Sequence, residues 1–329
     1  HDALPISVEP GRFFTSYHGY WPVSSTETNE AFGSMDDLRG LVAVAHKRRL
    51  GVILDFVANH VHQDHPLYRE HPGWVTPLVL PDGRKNIRLY DEHPLTTWFD
   101  TFLPSLNFKD NREIRDFMVD NAAFWLRETG ADGFRHDAVK HIPEDFWRQL
   151  TARLYHEFER EGDRRIYQVG ETISGYDLVA RYVGPDLLSG QFDFPLYFRL
   201  HDVAGMGKGR MADLGEAMRS AEANYPAGAV MSPLLGNHDF ARFLAYADGD
   251  VKDGENEKEV GFANPPRVDD PASYDKLALA FAALLTAPGA PMIYYGDEIG
   301  LTGAGDPDNR RMMLWDEISE PQGAVFEQV

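Results

Sequence analysis

The chain has 329 residues, room for about two ordinary domains or one large α/β barrel. Apolar residues make up 43% of it, enough for a sizeable core, so disorder is excluded as the default state. Lys and Arg total 32 against 52 for Asp and Glu, a net charge of −20 that repels nucleic acid and anionic membranes and suits a neutral or cationic ligand.

In chain order, His1–Ile6 is read as a sequencing artefact, because a back-translation of His-Asp-Ala-Leu-Pro-Ile matches the tail of a common short-read adapter. Ser7–Asn29 is rich in aromatic and turn residues around Tyr17–Pro22, sustains neither period, and reads as a loop. Ser34–Lys47 reads as a helix capped by Ser34, with Leu38, Leu41, Val42 and Ala45 as its apolar stripe. Gly51–Phe56 is a buried strand running into Asn59 and His60. Residues 60–108 are too long for an ordinary loop and are expected to form an inserted excursion or lid. Asn111–Glu128 is a helix ended by Gly130, and a short strand follows within Ala131–His141. A helix is expected at Glu144–Glu161, then strands at Arg165–Glu171 and Gln191–Leu196. Helix Met211–Asn224, strand Val230–Asp239, helix Ser273–Thr286 and strand Pro291–Asp297 complete the pattern, with Asp248–Glu259 as an exposed acidic loop.

Strands alternating with helices predict parallel βα units, and no apolar run approaches the length of a membrane span. The charged residues gather at strand C-terminal ends, where a (β/α)₈ barrel builds its active site. Arg135 and Asp137 stand two apart on a strand and share a face, so the cation keeps the carboxylate ionised, as a nucleophile requires. With Glu171 and Asp239 at other strand ends, three acids would converge on one pocket. Two carboxyl groups about 5–5.5 Å apart are what a retaining glycosidase uses. His60 and His238 could hydrogen-bond sugar hydroxyls, and Tyr20 and Trp21 offer flat faces for a pyranose ring. Taken singly, each has a structural reading: a strand-end ion pair, a barrel-mouth salt bridge, a helix cap. Without cysteine, disulfides and thiolate metal sites are excluded; no His-Glu-Xaa-Xaa-His spacing occurs, and His60, His62 and His65 make only a weak metal cluster.

Together these stretches resemble the α-amylase family of glycoside hydrolases, in the right order over nearly all of residues 17–316. The matching blocks are Asp55–His60, Leu103–Phe108, Gly133–His141, Gln168–Glu171, Gly236–Asp239, Gly289–Glu298 and Asp306–Arg310. The resemblance implies a (β/α)₈ barrel with an excursion domain after its third strand. It implies Asp137 as nucleophile, Glu171 as acid/base and Asp239 as stabiliser, with Tyr20, Arg135, His60 and His238 lining the same subsite. Asp306 and Arg310 would hold the next sugar. Lys140 and His141 would contact the sugar on the leaving-group side, as in enzymes of α-1,4-glucans.

Three departures carry expectations of their own. Ser105 stands where many calcium-binding members carry Asp, so Asn59 and the His141 carbonyl are the remaining candidate ligands and no cofactor is expected to be required. His136, usually aliphatic in the family, should point away from the pocket. The chain lacks room for the family's first two strands and its C-terminal sandwich, so an incomplete barrel is expected. The strands at Gly51–Phe56 and Pro291–Asp297 would then each lack a neighbour. The expected activity is hydrolysis of starch or maltodextrins. The rivals are an α-glucan transglycosylase on the same fold and a non-catalytic carbohydrate-binding homologue; the latter ranks low because all three acids are present.

Overall fold

The computed structural model describes residues 5–9, 12–160, 164–316 and 318–329. The chain divides into two compact units: His1–Thr172 with Gly184–Ser189, and Ile173–Val183 with Gly190–Val329.

The first unit opens with an antiparallel hairpin, β1 (Pro5–Glu9) and β2 (Arg12–Thr15), within the stretch read as a loop. Residues 1–4 of the suspected artefact lie outside the described residues. Helix α1 (Met35–Lys47) begins where Ser34 and Asp37 cap each other reciprocally, with bonds of 3.3 and 2.8 Å. Its stripe is not covered as expected: Val42 is buried, but Leu41 is 58% exposed. An apolar cavity of about 590 Å³ lies beside that face, bordered by Leu38, Leu41, Leu54, Phe56, Trp125 and Phe134. Strand β3 (Ile53–Phe56) follows. The 60–108 excursion holds one short helix, α2 (Pro66–Glu70), a single 3₁₀ turn at Pro72–Trp74 and isolated bridges, and it belongs to the same compact unit.

Helix α3 (Arg112–Thr129) is capped by Asn111 and stopped by Gly130 in the left-handed region at φ 73°. Strand β4 (Gly133–His136), helix α4 (Glu144–Leu154) and strand β5 (Tyr167–Gly170) complete the unit's regular elements. After α4 a π-type turn at Tyr155–Glu159 replaces the end of the long helix; its expected last residue lies outside the described ones. β3, β4 and β5 form a parallel ladder in which Asp55 pairs with Arg135 and Arg135 with Val169. The close approach at its start requires glycine: a Cβ on Gly133 would lie 1.8 Å from the Tyr167 carbonyl oxygen.

The second unit is mostly helical. It comprises α5 (Tyr176–Arg181), β6 (Gly190–Gln191), α6 (Phe194–Leu200), α7 (Met211–Asn224), α8 (Phe243–Asp248), α9 (Glu257–Ala263), α10 (Ala272–Thr286) and α11 (Glu320–Gln328). Three strand expectations are corrected here. Gln191–Leu196 is a strand for one residue only, because the Asp193 carboxylate caps Leu196 N–H at 3.1 Å and Pro195 suits a first helical turn. Val230–Asp239 and Pro291–Asp297 shrink to single parallel bridges, Phe192 with Ser232 and Leu234 with Met292. Pro233 and Pro291 have no N–H to donate to a continuous ladder. The stretch expected as an acidic loop, Asp248–Glu259, runs into the first turn of α9. The core of this unit gathers Leu200, Leu214, Leu235, Phe243, Leu277 and Phe281. Among the described residues no helix is long and apolar enough to cross a membrane.

Candidate active site

In the first unit the ladder delivers three carboxylates to one guanidinium. Arg135, on β4, is buried and sits opposite Asp55 on β3; one rung further the same register sets Asp137 against Glu171. Arg135 Nη1 donates to Asp55 Oδ1 at 2.8 Å and to Asp137 Oδ1 at 2.9 Å, while Nη2 donates to Glu171 Oε2. Backbone bonds fix the strand ends: Asp137 N–H to the Phe56 carbonyl at 3.2 Å, and Glu171 N–H to the His136 carbonyl at 2.9 Å. Ala138, next after Asp137, holds a left-handed φ of 51°, a conformation that costs a non-glycine residue roughly 1–3 kcal/mol and turns the chain sharply out of β4.

Tyr20 closes one side. Its hydroxyl donates to Asp55 Oδ2 at 2.6 Å, and its ring lies 5.4 Å from the Arg135 guanidinium carbon. His60 Nε2 donates to the Tyr20 carbonyl at 2.9 Å. Burial works against the charge on Arg135, but Glu171, Asp55 and Asp137 outweigh it and hold its pKa well above the ordinary value. Burial, with Asp55 second, raises the Tyr20 hydroxyl. Burial lowers His60, against the pull of Asp137, and it lowers His141 likewise. Three carboxylates around one cation leave the cluster net negative, which favours a transition state that gains positive charge.

On the following turn, Val139–His141, Lys140 is half-buried, and His141 Nδ1 donates to the Pro94 carbonyl at 2.7 Å. The His141 ring meets Tyr90 and Phe99 of the excursion at 5.3 and 5.2 Å. Trp21 is a correction: it is buried, packed on Phe102 at 4.7 Å and on His18 at 5.0 Å, so its faces are taken up by neighbours rather than offered to a ring.

In the second unit, Asn237 Oδ1 accepts from Asp239 and Phe240 N–H at 3.0 and 3.2 Å, forming the turn that presents Asp239 with its side chain 43% exposed. His238 Nε2 lies 3.3 Å from Asp239 Oδ1. Arg310 approaches Asp239 at 3.6 Å and Asp306 at 3.4 Å, and its Nε donates to the His238 carbonyl at 3.0 Å. Behind this patch, Arg242 and Asp297 form a fully buried pair at 2.8 Å, and Arg242 Nε donates to the Asn309 carbonyl at 2.8 Å.

Ser105, at the position where many calcium-binding members carry a carboxylate, has its hydroxyl engaged within the chain. The Ser105 hydroxyl donates to the Thr97 carbonyl at 2.7 Å, and the Asn59 carbonyl accepts Leu106 N–H at 2.9 Å. Among the described residues no group of three His, Asp or Glu is arranged to hold a metal. His60, His62 and His65 serve the local chain instead: His62 Nδ1 accepts Asp64 N–H at 3.1 Å and His65 Nδ1 accepts Leu67 N–H at 3.1 Å.

A family profile described as "Alpha amylase, catalytic domain" matches residues 5–74 and 89–324. The chain belongs to the alpha-amylase catalytic-domain family. A cyclomaltodextrinase of a Bacillus species is 29% identical over 92% of this chain and 50% of its own length. A cyclomaltodextrin glucanotransferase of Paenibacillus macerans is 30% identical over 91% of this chain and 40% of its own. The crystal structure of an alpha-amylase from Geobacillus thermoleovorans, complexed with acarbose, superposes with a TM-score of 0.76 at 29% identity, covering 94% of this chain and 63% of that one. The chain thus spans about half the length of the relatives it matches.

The structure gives Asp55, from the first matching block, a bond to Arg135, and it brings Tyr90 and Phe99 against His141. Asp55 had a signal, since it shares a strand face with Arg135 once β3 is paired with β4. Tyr90 and Phe99 lie in the excursion, where no periodicity points to them.

Proposed function

We propose that this chain carries the catalytic machinery of a retaining glycoside hydrolase cleaving α-1,4 bonds in starch or maltodextrins, on a (β/α)₈ barrel. The observation that carries the proposal is the single buried guanidinium of Arg135 joined to both Asp137 and Glu171 at adjacent strand ends, in a chain of this family. Asp137 attacks the anomeric carbon while Glu171 protonates the departing glycosidic oxygen, giving a covalent glycosyl-enzyme. Glu171 then takes a proton from the water that releases the sugar. His60, kept neutral by burial, commits its Nε2 proton to the Tyr20 carbonyl and so holds Tyr20 in place, while Tyr20 and Arg135 orient the acids in this unit.

For Asp239, His238, Asp306 and Arg310 the proposal rests on their motifs and on the bonds within their own unit: Asp239 steadies the distorted sugar, and Asp306 and Arg310 grip the next one. Lys140 and His141 meet the leaving-group side. No metal or other cofactor is needed for these steps.

The test is the anomer first released from maltoheptaose, followed by proton NMR. Retention gives the α-anomer; initial β-anomer overturns the assignment of Asp137 as nucleophile. A transglycosylase is the second reading, supported by the 30% identity to a cyclomaltodextrin glucanotransferase. Longer or cyclic products in the same sample would favour it. Lys140→Ala is expected to raise KM for maltoheptaose several-fold while leaving a short aryl maltoside nearly unaffected, because only the longer substrate fills that subsite. Equal losses on both would remove Lys140 from the binding surface.

A further inference from the structure

On the face of β4 opposite Arg135 and Asp137, the intervening residue makes its own connection. His136 is fully buried, with Trp147 at 4.8 Å, Phe134 at 5.5 Å and Phe56 at 6.0 Å between ring centres. Its register partner on β5, Gly170, has no side chain, and the imidazole reaches Gln168 instead: Nε2 lies 3.1 Å from Oε1. Gln168 Nε2 donates to Thr151 Oγ1 on α4 at 3.0 Å, and the Thr151 hydroxyl donates to the Leu187 carbonyl at 2.9 Å. Gln168 N–H is held by Ser189 Oγ at 3.2 Å.

This sequence of bonds has one direction. The Thr151 hydrogen is committed to a carbonyl, so Thr151 must accept from the Gln168 amide nitrogen. Gln168 Oε1 therefore faces the histidine, and His136 Nε2 carries the proton. Nδ1 is a bare acceptor with no partner. Burial pushes the pKa of His136 down to about 3, so the imidazole stays neutral and its donor stays in place at any pH where the chain would work.

We infer that His136, Gln168 and Thr151 are positioning residues: a lateral tie, behind the sheet, that sets the spacing of Asp137 on β4 and Glu171 on β5. The tie grips β4 one residue before Asp137 and β5 three residues before Glu171. In front, Arg135 joins the two acids, while the Glu171 N–H bond to the His136 carbonyl holds the strand ends side by side. A retaining mechanism depends on the separation of its two carboxyl groups, and a displacement of about 1 Å in such a pair can cost on the order of 100-fold in rate. The tie fixes from behind what the guanidinium fixes from the front.

The inference rests on the hydrolase reading, so its test has one arm that needs no turnover. Glutamates of the whole chain are labelled with carbon-13 at the side-chain carboxyl, and the Glu171 resonance, assigned with Glu171→Gln, is followed through a pH titration. His136→Phe keeps the ring packing and removes the donor; Gln168→Met removes both ends of the relay. Each is expected to move the Glu171 midpoint by about half a pH unit or more, since its distance to Asp137 and Arg135 changes. His136→Gln, which can present an N–H near the position of Nε2, restores the wild-type midpoint. Ile114→Val in α3 lowers stability without moving it. Thr151→Val, at the outer end of the tie, gives a smaller shift in the same direction and covers the case in which His136→Phe does not fold.

In the second arm, kcat on maltoheptaose falls roughly ten- to hundredfold in His136→Phe and Gln168→Met, with KM within about twofold, and His136→Gln recovers. An unmoved Glu171 midpoint in these variants overturns the inference whether or not the chain turns over. A moved midpoint in a chain whose activity is indifferent to Asp137→Asn keeps the tie and overturns the hydrolase reading instead.

Discussion

Asp137→Asn is expected to reduce turnover of soluble starch by about 10⁴-fold or more, the size of loss seen when a covalent nucleophile is deleted. The amide is close in volume, still accepts from Arg135, and cannot form the glycosyl-enzyme. Glu171→Gln should be nearly as severe on starch, whose leaving oxygen must be protonated. It should be milder on an aryl glycoside with a good leaving group, where the first step needs no acid; added azide should then speed release of the sugar by replacing the base-assisted water. The two variants thus separate by substrate rather than by size of effect. Starch hydrolysis by Asp137→Asn at the wild-type rate would remove the nucleophile from this strand end. An equal loss by Glu171→Gln on both substrates would assign Glu171 to holding Arg135 rather than to proton transfer.

Both variants also disturb a buried ion cluster, and this must be distinguished from chemistry. Removing one carboxylate from a buried guanidinium can cost about 3–5 kcal/mol when the charge is left uncompensated. Here Arg135 retains two other acids in either variant, with Asp55 at 2.8 Å. Asp55→Asn supplies the comparison, since it removes a charge from the same cation without touching either proposed reacting carboxylate.

Local signals in the sequence were sufficient wherever one element settled its own shape. Ser34 and Asn111 supply cap oxygens, Gly130 takes the left-handed exit, and helix Met211–Asn224 lies where its apolar spacing predicts. The runs at β3, β4 and β5 are short, apolar and bounded, and all three became strands. The misses fall where a distant partner decides. A proline inside Val230–Asp239 already argued against a full strand, yet whether single bridges survive there depends on which segments lie alongside. The apolar stripe of α1 predicted a covered face, but among the described residues it borders a cavity and Leu41 remains exposed. That stripe records what the helix could bury rather than what it meets. The Arg242–Asp297 pair was illegible for the same reason, since 55 residues separate two side chains that only tertiary packing brings together.

The acids themselves were legible because strand alternation puts Arg135 and Asp137 on one face and a parallel register brings Glu171 level with Asp137. His136 was legible as a residue facing away, but its partner was not. Gln168 is a neighbour only once β4 and β5 are paired, and Thr151 only once α4 packs behind them.

Stability is expected to fall steeply as pH drops from about 6.5 to 4, because buried histidines are held neutral in the folded chain. Burial lowers His136 to about 3 and His201 to about 4, and it lowers His60 and His141 as well. An unfolded histidine titrates near 6.5. Below that pH the unfolded chain binds protons that the folded chain refuses, so each such histidine removes stability as pH falls, at up to about 1.4 kcal/mol per pH unit. The loss runs through the window between the two pKa values and is complete below the folded one. Asp297 acts in the opposite sense: burial raises it to about 6 despite Arg242, so between about pH 6 and 4 the folded chain binds its proton first and gains. The two histidines outweigh Asp297 by roughly 3 kcal/mol from pH 6 to 4; Asp193 and Asp250, also raised by burial, offset part of this, and His60 and His141 add to it. Against a total stability of about 5–15 kcal/mol that is a large fraction. Carboxylates lowered by partners, such as Glu157 and Asp132, lose their contribution as pH falls from about 5 downward and so add to the fall at the acid end of the window. The measurement is the urea midpoint by tryptophan fluorescence between pH 4 and 7.5. His201 donates to the Leu235 carbonyl at 2.6 Å, so His201→Gln keeps a donor while removing the titration, and paired with His136→Gln it should flatten the slope. A midpoint that stays level from pH 7 to 4.5 in the wild-type chain would show that these imidazoles reach water and charge freely.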